Sequence, residues 1–334
     1  MSLRHAPRNL SRFIRRLDWR HLPRDSLRLL RKETGTSHSL SNHAFDFARL
    51  RRTPIKRGVP HTLPGKLVLS LTSYPRRYET LDLTLRTLLS QDMAPDEVVL
   101  WLACEDRASL PRHIEALQDH GLTIRTWEDF KSYLKIIPTV VEYPTAFIVT
   151  ADDDRRYAPN WIRRFVEEYR SPNEILCQYA YRIALDLNGR LLPYNEWPSL
   201  GDTRGPTDTG GKGIFPIGAE GVLYPPGGFV PELTNAAEAR RLCPHGDDIW
   251  IYWMTRPGVQ RRLIHHAGKL LDEWPGTVQV GLWLTQNING GNDRQMAAMI
   301  EAYGLPPELS NAIVETRPMA PAATLRAAAT APSL

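Results

Sequence analysis

The sequence predicts an α/β fold in which a mostly parallel sheet is covered by helices on both faces. Strand-like and helix-like patterns alternate from Lys66 onward, which is typical of parallel strands joined by helices. One short apolar strand, beginning at Phe147, runs directly into Asp152, Asp153 and Asp154. Ligands of open parallel sheets bind beyond the carboxyl ends of the strands, so these aspartates are expected at the functional edge.

The individual elements follow from apolar periodicity and from residues that start or stop helices. Besides the strand at Phe147, strands are predicted at Leu67–Leu71, Glu97–Leu102, Leu122–Thr126, Glu174–Tyr179, Ile217–Tyr224 and Gln260–Ile264. Helices are predicted at Thr80–Leu89, Arg112–His120, Asp129–Val141, Pro159–Tyr169, Pro231–Leu242, Gly246–Met254 and Asn292–Tyr303. Proline suits the first turn of the fourth helix, and Asn292 or Asp293 is expected to cap the last. The stretch from Asp186 to Phe215 is irregular, and Tyr194 and Trp197 within it are expected to be exposed.

The charge distribution separates an N-terminal arm from the rest of the chain. Residues 1–57 hold 15 of the 42 Lys and Arg residues but only 4 of the 37 Asp and Glu residues. Residues 1–64 are therefore interpreted as a basic arm and linker, residues 65–304 as the α/β domain, and residues 305–334 as an Ala/Pro-rich tail.

Arginine recurs at every fourth position of the arm, with apolar residues between, which predicts a basic amphipathic helix within residues 1–32. The arginines are Arg4, Arg8, Arg12, Arg16, Arg20, Arg24 and Arg28. Such a helix suits an anionic membrane surface. Two alternatives stay open, an arm packed on its own acidic body and a nucleic-acid tail, but we favour the membrane and expect no nucleic acid partner.

Other features bear on the compartment. No apolar run approaches about 18 residues, and no apolar segment follows the first basic residues, so neither a membrane span nor a secretory signal is expected. Cys104, Cys177 and Cys243 are widely spaced and form no CxxC pattern, which argues against a disulfide framework or structural zinc. The predicted location is the cytoplasm, peripheral on the cytoplasmic face of the inner membrane.

Three adjacent carboxylates at a strand end repel one another unless a cation lies between them. Strand alternation predicts that Asp152 and Asp154 point to one side and Asp153 to the other. Two such carboxylates form a DxD site suited to Mg²⁺ or Mn²⁺ carrying a diphosphate. The alternative is a solvated acidic turn.

Further candidates surround this cluster. In the loop after the first strand, Thr72, Tyr74 and Arg76 offer a hydroxyl, an aromatic ring and a guanidinium for a ribose, a base and a diphosphate. Lys135 precedes the acidic strand and is a candidate for pairing with the diphosphate. The alternatives are a plain surface turn and a solvated lysine. His266 follows a strand and is a candidate third metal ligand, with an ordinary histidine as the alternative.

A second acidic pair, Asp247 and Asp248, opens the predicted helix Gly246–Met254. Carboxylates at a helix N-terminus are ordinary caps, because the helix dipole favours them. One of the two is also a candidate general base, which needs a positioned carboxylate within hydrogen-bond reach of a hydroxyl.

These motifs together resemble the GT-A nucleotide-sugar glycosyltransferases, in particular the family 2-like bacterial enzymes of surface polysaccharide assembly. The resemblance runs from about Lys66 to Tyr303 and is carried by LVLSLTSYPRRYETLDLTLRTLLSQ, FIVTADDDRRYAPNWIRRF, EGVLYPPGGF and CPHGDDIWIYWM. It implies a Rossmann-like GT-A fold with a nucleotide half at about 65–185 and an acceptor half at about 186–304. The implied substrates are a nucleotide-sugar donor and a glycan or lipid-linked glycan acceptor, with Mn²⁺ or Mg²⁺ as cofactor.

By this resemblance, Asp152 contacts the ribose or the metal, Asp153 lies with it in the donor site, and Asp154 ligates the cation. Asp248, the second residue of the later pair, is the base of an inverting reaction. No QxxRW motif follows, so transfer of a single sugar is favoured over processive synthesis. The alternatives are a sugar nucleotidyltransferase, whose first loop usually contains glycine, and a catalytically inactive glycan- or lipid-binding relative.

Overall fold

The computed structural model describes residues 47–200, 212–264, 271–274 and 290–309. Its main strands, in chain order, are β1 Leu67–Thr72, β2 Glu97–Ala103, β3 Leu122–Trp127, β4 Phe147–Thr150, β5 Glu174–Cys177, β6 Val222–Tyr224 and β7 Gln260–Leu263. The α-helices after β1 are α1 Tyr78–Leu89, α2 Arg112–Glu115, α3 Ile137–Glu142, α4 Trp161–Glu168, α5 Ala236–Leu242, α6 Asp247–Trp253 and α7 Asn292–Tyr303. Short 3-10 helices lie at Pro75–Arg77, Cys104–Ser109, Ala116–His120, Lys131–Lys135, Tyr194–Glu196, Gly218–Glu220 and Pro231–Thr234.

The seven main strands form one mixed sheet in the order β7-β5-β6-β4-β1-β2-β3. Neighbouring strands are parallel except at β6, which is antiparallel to both β4 and β5. The predicted α/β class with a mostly parallel sheet is therefore confirmed.

Helices cover both faces of the sheet. On one face, Leu67, Leu69 and Leu71 of β1 belong to the same buried cluster as residues of α1 and α4. On the other face, Ile148 of β4 and Val222 of β6 are buried with residues of α5, α6 and α7. Because side chains alternate along a strand, β4, β5 and β6 each contribute to both clusters, whereas the second face of β1 contributes Val68 to a third, smaller cluster.

The chain packs onto this body well before β1. The Phe47 ring lies 5.6 Å from that of Trp274, and Arg51 pairs with Asp82 at 2.7 Å. Val59–Pro60 forms a short parallel pair with Met93–Ala94. The last part of the predicted linker thus contacts the domain. The predicted arginine helix within residues 1–32 lies outside the described residues. Residues 310–334 of the predicted tail lie outside them as well.

Two local predictions within residues 186–224 were wrong. Tyr194 and Trp197 are not exposed: Trp197 is buried, and both rings pack edge-to-face with Phe215. Hydrophobic burial outweighs the irregular local sequence there. Ile217–Tyr224 was predicted as one strand, but a 3-10 turn occupies its first part.

The cap prediction for the last helix is also not met. The N-cap of α7 is Gly291, without a side-chain cap bond. Asp293 instead accepts a hydrogen bond from the Tyr194 N–H at 2.7 Å. Within the described ranges, no helix is long and apolar enough to cross a bilayer.

Candidate functional site

The loop after β1 and the aspartates after β4 face each other, as predicted from parallel neighbouring strands. The Ser73 hydroxyl donates to Asp153 Oδ2 at 2.6 Å, and Arg77 Nη1 donates to Asp154 Oδ2 at 2.8 Å. Asp154 also lies 3.6 Å from Arg155 Nε. Asp153 and Asp154 are therefore engaged by donors of the loop after β1.

The backbone of the acidic segment is held from outside the sheet. The Thr84 hydroxyl of α1 donates to the carbonyl of Asp153 at 2.8 Å, and the Trp274 N–H donates to the carbonyl of Asp154 at 3.0 Å. Because β4 ends at Thr150, strand alternation does not govern these aspartates. Asp154 shares Arg77 with Asp153, and Asp152 turns to a different partner.

That partner is Lys135, at the end of the 3-10 helix Lys131–Lys135. Its ammonium lies 2.7 Å from Asp152 Oδ1 and 3.0 Å from Asp247 Oδ2, and only 7% of the lysine side chain is exposed. The end of β4 and the start of α6 thus meet at one buried cation. We call Lys135, Asp152, Asp247 and Asp248 the lysine centre.

Asp248 completes the lysine centre through the backbone. Both of its carboxylate oxygens lie 3.2 Å from the N–H of Gly218, which donates to them. A Cβ on Gly218 would lie 2.8 Å from Asp248 Oδ1 and 3.3 Å from Lys135 Nζ. Glycine at this position is what lets the carboxylate and the ammonium approach the same backbone.

Within the lysine centre, the pKa values of Asp152 and Asp248 shift in opposite directions. Burial disfavours the charged form of Asp152, but Lys135 outweighs it and lowers the pKa of Asp152. Burial, with Asp247 beside it, raises the pKa of Asp248 to about 7 against the pull of Lys135. For Lys135, burial opposes the charge, yet Asp152, Asp247 and Asp248 together raise its pKa well above the usual range.

The pKa of Asp153, which lies beside Arg77, shifts in the opposite direction from that of Asp152. Burial and then Asp154 raise the pKa of Asp153 to about 7, although Arg77 and the Ser73 hydroxyl act against the rise. Burial also works against the charge of Arg77, but Asp154 and Asp153 raise its pKa.

A divalent cation takes several oxygen ligands, and the carboxylates at this edge of the sheet supply few of them. Among the residues that the structure describes, no group of three or more His, Cys, Asp or Glu side chains is arranged to hold a metal ion. A cation that arrives with a diphosphate needs only one or two protein carboxylates, because phosphate oxygens and water supply the rest. Asp152, whose side chain is 30% exposed, fits that smaller requirement. Asp154 is 14% exposed and paired with two guanidinium groups.

The other predicted residues lie around this edge with different exposure. The Thr72 hydroxyl donates to the carbonyl of Trp101 at 3.0 Å, and Tyr74 is exposed. Arg76 is exposed as well, on the same short helix as the buried Arg77. His266 lies outside the described residues.

Sequence reasoning missed three residues of the site: Ser73, Arg77 and Gly218. Ser73 and Arg77 stand in the predicted loop, directly beside the residues predicted there. Nothing in the sequence marks Gly218 as the backbone partner of Asp248, because 30 residues separate them.

Neither a known family profile nor a curated protein matches the chain. Among solved structures, it is similar to the mannosyltransferase PcManGT from Pyrobaculum calidifontis in complex with GDP-Man and Mn²⁺, at 13% identity and a TM-score of 0.40, over 81% of this chain and 85% of that one. It is also similar to a 4-diphosphocytidyl-2C-methyl-D-erythritol synthase, at 14% identity and a TM-score of 0.36, over 67% of this chain and 100% of that one.

A third similar structure is the inositol-1-phosphate CTP transferase from T. maritima, at 7% identity and a TM-score of 0.31, over 61% of this chain and 86% of that one. At these TM-scores, none of the three likenesses carries an activity over to this chain.

Proposed function

We propose that the protein is a GT-A glycosyltransferase that moves one sugar from a nucleotide-sugar to a hydroxyl of a glycan or glycolipid acceptor, with inversion at the anomeric carbon. The proposed setting is polysaccharide or lipopolysaccharide assembly on the cytoplasmic face of the inner membrane. The observation that carries the reaction is the lysine centre: two acidic clusters, about a hundred residues apart in sequence, meet at the carboxyl edge of the sheet.

In this proposal, the cluster at Asp152 binds the donor, and the acidic pair at Asp247 and Asp248 serves the acceptor. On the donor side, Asp152 is the proposed ligand of a Mn²⁺ or Mg²⁺ ion shared with the diphosphate, and Tyr74 is exposed where a base could stack. When bound, the cation would neutralise charge that develops on the departing nucleoside diphosphate. Thr72, Arg76 and Asp153 remain proposed donor-site residues, Asp154 remains a proposed second ligand once its arginines are displaced, and His266 remains a proposed third.

On the acceptor side, Asp248 is the proposed general base. The acceptor oxygen forms a bond to the anomeric carbon as the bond from that carbon to the diphosphate oxygen breaks, and the acceptor proton passes to Asp248. The Gly218 N–H fixes the Asp248 carboxylate through both oxygens, which limits its rotation. A pKa near neutrality suits this role, since the group must release the proton after each turnover.

The test is a screen of UDP-, GDP-, CMP- and dTDP-sugars for Mn²⁺-dependent thermal stabilisation, followed by a transfer assay with the donors that bind. We expect at least one nucleotide-sugar to stabilise the wild type with Mn²⁺, and Asp152→Asn to lose that stabilisation. Lys66→Met, which breaks an exposed pair with Glu97 far from the site, is the control. Release of pyrophosphate from a nucleoside triphosphate and a sugar phosphate would instead identify a nucleotidyltransferase, and binding without turnover would identify an inactive relative.

The transfer rate should depend on pH through Asp248. The base accepts a proton only when it is ionised, and its pKa is raised to about 7, so kcat should fall about tenfold per pH unit below that value and level off above it. Since the pKa of Asp153 is also raised to about 7, the donor KM must be measured at each pH. A kcat that stays flat between about pH 5 and pH 8 would contradict the assignment of Asp248.

The N-terminal arm should bind membranes. A variant that lacks residues 1–46 keeps Phe47, Arg51 and the other contacts of the linker with the body, so we expect it to fold. It should lose co-sedimentation with anionic liposomes, and wild-type binding should weaken with salt as charges are screened. Neutral liposomes are the control. Undiminished binding by the truncated protein would show that the arm is not the membrane contact.

A further inference from the structure

The Lys135 ammonium occupies the place between the two acidic clusters that a divalent cation would otherwise be drawn to. It is the cation that contacts Asp152 and Asp247 directly, at 2.7 and 3.0 Å, and its side chain is 7% exposed. The two carboxylates that contact the ammonium, with that of Asp248 beside them, leave an excess of negative charge around it. The ammonium thus already has two carboxylate partners in the protein, and its pairing with a diphosphate stays a prediction.

Asp152 therefore has two competing cations. A metal ion that reaches Asp152 Oδ1 must either displace the ammonium or bind within a few ångströms of it, and like charges at that distance repel even when partly screened. The same ammonium is 3.0 Å from Asp247 Oδ2, an oxygen that is buried and makes no hydrogen bond. A ligand of Asp152 that moves Lys135 would therefore also change the contact between Lys135 and Asp247, at the start of α6 and next to the proposed base.

We propose that Lys135 is a positioning residue that acts as a built-in counter-cation: it ties Asp152 to Asp247 and lowers the affinity of the empty site for a divalent cation. The metal then binds well only together with a nucleoside diphosphate, whose negative charge offsets the ammonium. This inference rests on the proposed function for its meaning in the reaction, but not for its effect on metal binding.

The test measures Mn²⁺ binding to the full-length protein without nucleotide, by calorimetry or by electron paramagnetic resonance of free Mn²⁺. Lys135→Met keeps the length of the side chain and removes its charge, and it should bind Mn²⁺ about tenfold more tightly than the wild type. Lys135→Arg keeps the charge and should bind Mn²⁺ as weakly as the wild type. If Lys135 had only a packing role, Mn²⁺ affinity would not rise in Lys135→Met while it stayed at the wild-type value in Lys135→Arg.

Two controls assign the effect. Lys66→Met removes a lysine with a comparable 2.8 Å carboxylate contact at the opposite end of β1, and it should leave Mn²⁺ affinity unchanged. Adding Asp152→Asn to Lys135→Met should abolish the gain, because the two changes act on one pair. If Lys135→Met does not fold, as judged by its thermal transition, Lys135→Gln replaces it, since the amide keeps a donor for Asp152.

The results separate this inference from the proposed function. Unchanged or weaker Mn²⁺ binding in the folded neutral variant would overturn the role of Lys135, as would an equal gain in Lys66→Met. If the gain occurs but the wild type transfers sugar from no donor, Lys135 is still the counter-cation and the proposed reaction is wrong. Where transfer does occur, Lys135→Arg should lower kcat more than it raises donor KM, because the planar fork cannot hold Asp152 and Asp247 at the same spacing.

Discussion

Replacement of Asp248 by Asn is expected to lower sugar transfer by about 10²-fold or more while leaving donor binding nearly unchanged. The amide cannot accept the acceptor proton, and proton removal belongs to the transition state. Donor binding persists because Asp152, the proposed cation ligand, is held by Lys135 rather than by Asp248. Single-turnover transfer and thermal stabilisation by donor with Mn²⁺ measure the two quantities separately.

Asp247→Asn is the matched control for that variant. Asp247 precedes Asp248 at the same helix start, but its carboxylate is paired with Lys135. We expect this variant to lose some stability, from the dipole and from the ion pair, and to keep measurable transfer. If Asp247→Asn loses transfer and Asp248→Asn keeps it, the base is Asp247. Undiminished transfer in both variants would rule out the inverting mechanism proposed for this site.

Replacement of Gly221 by Ala is expected to reduce the free energy of unfolding by about 3 kcal/mol or more. Gly221 has φ of +101°, which disfavours any side chain, and an added Cβ would lie 2.3 Å from Trp161 Cζ2. The indole cannot easily retreat, because Trp161 is fully buried and its Nε1 donates to the carbonyl of Glu220 at 2.9 Å. Urea unfolding followed by tryptophan fluorescence gives the loss.

Gly258→Ala separates backbone strain from steric overlap. Gly258 has a similar φ of +88°, but an added Cβ there would meet nothing within 4 Å. Its loss should be about 1 kcal/mol, the cost of the left-handed conformation alone. Equal losses at the two positions would mean that the Trp161 contact relaxes at no cost and that the core near β6 is looser than its burial indicates.

The α/β architecture could be predicted from the sequence because its signals are local. The apolar run of β1 and the helical spacing of α1 each lie within a dozen residues, and their alternation implies parallel strands. The acidic motifs at Asp152 and Asp248 were visible for the same reason. The rule that parallel strands end at one edge predicted that the loop after β1 faces Asp152, but it did not predict that α6 begins at that edge and brings Asp248 there.

The rest depends on contacts that are distant in sequence. Lys135 was predicted to pair with the diphosphate, with a solvated lysine as the alternative; the structure buries it beside three carboxylates supplied by two other elements. Trp197 was expected at the surface, yet it packs on Phe215 and donates to the carbonyl of Leu192. Arg77, rather than Arg76, faces the aspartates because the short helix after β1 turns that side chain inward. Tertiary packing decides each of these cases.

The antiparallel strand β6 has a consequence for how the chain folds. During synthesis, β1 to β4 can assemble as soon as residue 150 has emerged, since the pairings among these four strands involve no later strand. β5 emerges next but does not pair with β4; it waits for Val222–Tyr224, which pairs with both. Until then β4 presents an open hydrogen-bonding edge, a template for pairing with another chain. We therefore expect slow refolding with a phase sensitive to protein concentration, and late protection of β5 and β6 amides from hydrogen exchange.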